Sequence, residues 1–135
     1  MRNASFYNPN NKDITEDSFA GLEPVKTIMY YDRPILYTCK NKDEELYLAM
    51  LVEEKGRSNT WLYIWVSDDR INALKANKLS LYEAFKSAEN HKAYQITLDE
   101  ENNPKIDTIE AINIPDKFLP DDDLYIGIYI SNSDY

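Results

Sequence analysis

Residue types suited to nucleophilic or metal chemistry are scarce in this chain of 135 residues. It has one cysteine, Cys39, and one histidine, His91. A thiolate nucleophile needs a base within hydrogen-bond reach and a third group that orients the base. No third group stands out, and Cys39 closes an apolar run, where a thiol acts as a small buried hydrophobe. His91 lies in Glu89-Asn90-His91-Lys92 at a helix end, where a cation complements the helix dipole. One His and one Cys cannot form a zinc site of the usual type. Asp121-Asp122-Asp123 lacks the glycine and terminal glutamate of a calcium loop. The reading is therefore no catalytic residue, no metal and no cofactor.

Binding chemistry is better represented. Tyrosine is heavily used, with 11 residues, and glycine is rare, with 3. Few glycines disfavour a phosphate-cradling loop, and no glycine-rich nucleotide motif occurs. In Trp61-Leu62-Tyr63-Ile64-Trp65-Val66 a period of two puts Trp61, Tyr63 and Trp65 on one face. Leu62, Ile64 and Val66 occupy the other. The same logic adds Tyr37, Tyr47, Tyr125 and Tyr129 to an aromatic face. Tyr and Trp are enriched at interface hot spots, so this face is the candidate binding surface. The alternative is a second core layer of rings, or rings packed under the N-terminal arm. Arg33, Arg57 and Arg70 are the possible phosphate or anion contacts beside such rings.

Acidic residues number 24 against 15 basic ones, a net charge of −9. That balance opposes direct nucleic-acid binding and permits docking on a basic protein surface. The exposed acids expected to matter are Asp99, Glu100 and Glu101, with Asp121, Asp122 and Asp123. A strip of turn acids would imitate a nucleic-acid backbone and block a basic groove.

Several elements must position these residues. Strands are expected over 25–31, 35–39, 46–52 and 60–66, joined by short turns, which makes an antiparallel meander. Ser67 caps a helix that begins with Asp68 and Asp69 and ends near Asn77. Ser80-Leu81-Tyr82-Glu83 is a capping box that opens a second helix to about Glu89. Strands follow at 93–98, 105–114 and 124–131. The fold class is α+β, a mostly antiparallel sheet of six to seven strands with helices on its aliphatic face. Residues 1–24 form an irregular arm, and residues 25–135 one domain. A lone cysteine excludes an internal disulfide and fits a reducing compartment. With no signal-peptide pattern and no membrane-length apolar run, a cytoplasmic protein is expected.

Tyr30-Tyr31-Asp32-Arg33-Pro34-Ile35-Leu36-Tyr37 resembles a family of small bacterial and phage-associated proteins that carries no assigned function. Trp61–Val66, Ser67–Arg70 and Leu79–Phe85 extend the resemblance, which covers about Ile28 to Phe85. It implies a bacterial or mobile-element origin and brings no catalytic residues. By analogy with small acidic proteins of that setting, it implies a stoichiometric inhibitor or interaction module of phage or bacterial-defence type. A protein partner is expected, such as a basic nucleic-acid-binding enzyme, and a homodimer is allowed. Two other classes remain open: a binder that sequesters a nucleotide signal, and an enzyme with a carboxylate-based site.

Overall fold

The computed structural model of the chain describes residues 23–30, 34–41, 43–101 and 103–131. Residues 1–22 of the expected arm lie outside them, and Glu23 and Pro24 already belong to the first strand.

Six strands follow one another: β1 (Glu23–Tyr30), β2 (Pro34–Lys40), β3 (Leu46–Lys55), β4 (Ser58–Trp65), β5 (Lys92–Leu98) and β6 (Pro104–Glu110). They form one antiparallel sheet in sequence order. Between β4 and β5 come α1 (Asp68–Lys75) and α2 (Leu81–Lys86). After β6 come two 3-10 turns, Ala111–Asn113 and Asp116–Phe118, and then α3 (Gly127–Ser131). The fold is α+β, as its alternation of strand runs and helices implies.

Local chemistry explains α1 and α2. Ser67 Oγ accepts from the Arg70 amide at 3.2 Å, and Asp68 and Asp69 fill the first turn. Ser80 Oγ accepts from the Glu83 amide at 3.1 Å. Each cap satisfies an amide that the helix cannot, worth about 1 kcal/mol. The Ser67 amide and hydroxyl also donate to the two oxygens of Glu89, each at 2.8 Å. That clamp ties the start of α1 to the segment after α2.

The sheet has two apolar faces, each with its own cluster. Leu36, Leu48, Met50, Leu62 and Ile64 pack with Leu74, Leu81, Ala84 and Phe85 of the helices. On the other side Cys39, Tyr47, Ala49, Trp61, Tyr63, Tyr94 and Ile96 form a second buried cluster. Among the described residues, these members come from β2 to β5, with Ile106 of β6 packed against them. Central strands buried on both sides read as unbroken apolar runs, which accounts for Trp61–Val66.

The second helix, expected to about Glu89, ends at Lys86, and two expected strands change. The strand expected over 105–114 ends at Glu110, and Ala111 and Ile114 turn inward. The strand expected over 124–131 is instead an irregular stretch followed by α3. Its residues are apolar at nearly every position, so period two and period 3.6 both fit. Packing of Ile126 and Ile130, four apart, onto the aliphatic cluster decides for helix.

Candidate interaction surface

Five of the seven rings expected to bind a partner, Tyr37, Tyr47, Trp61, Tyr63 and Trp65, lie in or against the second cluster. Tyr47 is 0% exposed, and Trp61 and Tyr63 are 9% exposed. Tyr37 and Trp65 are half-buried at the cluster's margin. Their polar atoms have partners within the chain. Tyr37 and Tyr63 join their hydroxyls at 2.8 Å, Trp61 Nε1 donates to Asn59 Oδ1 and Trp65 Nε1 to Glu45 Oε1. Tyr37 also meets Trp61 edge-on, with ring centroids 5.5 Å apart. Burial pushes the Tyr37, Tyr47, Tyr63 and Tyr94 phenols above their ordinary value, and the Cys39 thiol to about 12. A thiol so buried is protonated and unreactive at neutral pH. His91 is exposed, with φ +64°, at the start of β5.

The arginines do not join the rings. Arg70 Nη2 donates to the Ser87 carbonyl at 2.6 Å and to Ser87 Oγ at 2.9 Å. It thereby ties α1 to the C-terminal end of α2, on the helix side of the sheet. Arg57 is exposed in the β3–β4 turn, and Arg33 lies outside the described residues. Among the acids, Asp99 holds a turn: its carboxylate accepts from the amides of Asn103 and Glu101, which lowers its pKa. Glu100 and Glu101 are exposed on that same turn. Among the described residues, no group of three or more His, Cys, Asp and Glu is placed to hold a metal ion.

Tyr125 and Tyr129 are 44% exposed, on or beside α3 rather than on the aromatic sheet face. Ile128 of α3 is 63% exposed. A helical turn explains all three, because Ile126 and Ile130 take the inward positions. Asp121, Asp122 and Asp123 precede them and are exposed.

This surface is held rigidly. The Leu81 amide donates to the Leu124 carbonyl at 3.0 Å. The Gly127 amide donates to Asn77 Oδ1 at 2.9 Å, and Asn77 itself takes a left-handed φ of +59° after α1. A Cβ at Gly127 would lie 2.4 Å from the Lys75 carbonyl oxygen and 2.5 Å from Asn77 Oδ1. Only glycine permits α3 to sit this close to the end of α1.

The chain matches a family of unknown function (DUF6575) over residues 14–134. It belongs to that family. The DUF6575 match takes in both the sheet and α3, so the pinned C-terminal surface is part of the family's domain. No curated protein matches this DUF6575 chain, and no solved structure matches it. No helix among its described residues is long and apolar enough to cross a membrane.

Proposed function

We propose that this chain is a non-enzymatic binding protein that works by occupying a partner's surface, with Tyr125, Ile128 and Tyr129 at the contact centre. One observation carries the reading: a molecule that buries rings on both sides of its sheet exposes three large apolar side chains within five residues. Exposed aromatic anchors on a rigid support are the usual centre of a protein contact. Asp121, Asp122 and Asp123 at the margin favour a partner whose apolar pocket has a basic rim. A nucleic-acid-binding enzyme fits that description. The family resemblance makes a stoichiometric inhibitor of phage or bacterial-defence type the preferred role, in a bacterial cytoplasm.

The test is affinity capture from the source organism with three baits: wild type, Tyr125→Ser/Tyr129→Ser, and Asp121→Asn/Asp122→Asn/Asp123→Asn. One protein should be retained in equal molar amount by the wild type, lost from the tyrosine variant, and released at lower salt from the aspartate variant. Identical retention on all three baits refutes the assignment.

A further inference from the structure

The helix-bearing side of the sheet changes character towards the β3–β4 and β5–β6 turns. The pairing register slips between Leu51 and Glu53, so Glu53 opposes Thr60 and Lys55 opposes Ser58. Leu51 opposes Trp61 on the aromatic side, and an unbroken period of two would send Glu53 there as well. The extra residue, Val52, turns Glu53 and Lys55 to the helix side instead, beside Thr60 and its β5 partner Thr97. Bulges re-aim side chains in this way, often next to functional sites. The result is a groove of about 260 Å³ lined by polar residues only, among them Glu53, Lys55, Thr60, Gln95 and Thr97.

Its charges are arranged unusually for a chain of net charge −9. Lys55 Nζ is 3.6 Å and Lys117 Nζ 3.9 Å from the same Glu53 oxygen. A charge-assisted hydrogen bond spans about 2.7–2.9 Å, so neither ammonium is hydrogen-bonded to that carboxylate. Lys105 opposes Thr97 on the same face, and Asp107 opposes Gln95. Three cations therefore share this end of the face with two carboxylates.

We propose that the groove binds a compact oxyanion-bearing metabolite. Its phosphate or carboxylate group lies between Lys55 and Lys117, and its polar body lies over Thr60, Thr97 and Gln95. The all-polar lining offers hydroxyl and amide groups to such a body and no ring on which a base could stack. The volume is below the range of about 300–1,000 Å³ usual for drug-sized ligands, which limits the ligand to a small molecule. In the free groove the Glu53 carboxylate is shared by the two ammonium groups and competes with an incoming oxyanion for them.

Backbone amide NMR titrations with sodium phosphate, sodium acetate and glucose, at constant ionic strength, test this. Amides of residues 53–60 and 95–97 should shift saturably with one or both anions and not with glucose. The anion that saturates distinguishes a phosphate from a carboxylate ligand. Lys55→Gln/Lys117→Gln should weaken binding about tenfold or more, with an unchanged melting temperature because both ammonium groups are largely exposed. Glu53→Gln should tighten it by removing the competing carboxylate. Absence of saturation with either anion, equal affinity in the lysine variant, or weaker binding in Glu53→Gln overturns the proposal.

Discussion

Gly127 is the position where a single methyl group has the clearest consequence. Its missing Cβ is filled by the Lys75 carbonyl and the Asn77 side chain, both under 3 Å from where that Cβ would lie. Gly127→Ala must push α3 away from α1, and a loss of about 1–3 kcal/mol is expected in urea denaturation. Gly56 is the control: it has φ +59° but nothing within 4 Å. Gly56→Ala should cost only the left-handed backbone penalty, about 1–2 kcal/mol. The buried phenols and thiol make a second residue-level prediction. Burial pushes the Cys39 thiol up from 9.0 to about 12 and raises the Tyr37, Tyr47, Tyr63 and Tyr94 phenols above 10.0. Above pH 9 the unfolded chain releases protons that the folded chain keeps, so the unfolded state binds fewer and stability falls with pH. The contribution is fully present below pH 9 and is lost progressively above it. Urea midpoints should be level from pH 7 to 8.5 and fall steadily from pH 9 to 11. A thiol reagent at pH 8 should modify Cys39 only when the protein is unfolded.

Helices α1 and α2 are legible in the sequence because their signals are local. Ser67, Asp68 and Asp69 open α1, and the box from Ser80 to Glu83 opens α2. Ser80→Ala should lower stability by about 1 kcal/mol, measurable as a drop in melting temperature. Ser67→Ala should cost more, since the same hydroxyl also donates to Glu89. α3 is not legible, for a physical reason. Tyr and Ile favour strands on a pleated surface, and only the docking of Ile126 and Ile130 on the aliphatic cluster makes this segment helical. The same error of period places Tyr125 and Tyr129 on a sheet face and hides Ile128 altogether. The i, i+4 spacing of Ile126 and Ile130 is the signal that could have revealed it. Arg70 was equally opaque, because its partner Ser87 is supplied by the packing of α1 against α2.

Across the whole molecule, the sheet is a partition between two cores. Alternation along Trp61–Val66 fixes which residues share a side, but no strand pattern reveals what covers each side. The burial of Trp61 and Leu62 on opposite faces predicts comparable costs: Trp61→Ala and Leu62→Ala should each destabilise by about 2–5 kcal/mol. A wild-type midpoint for Trp61→Ala would return the aromatic face to the list of surfaces. With both faces assigned to cores, the exposed apolar residues Tyr125, Ile128 and Tyr129 are the proposed contact centre, and in that proposal the neighbouring aspartates would steer a basic partner towards it. Asp99, Glu100 and Glu101 lie on the β5–β6 turn, whereas Asp121, Asp122 and Asp123 lead into α3. The most direct measurement is site-specific photo-crosslinking in the source organism, with a benzophenone side chain at Ile128 or, as a control, at Glu100. Ile128 should yield one discrete adduct that Glu100 does not. No adduct at Ile128, or the same adducts from both positions, would contradict the account.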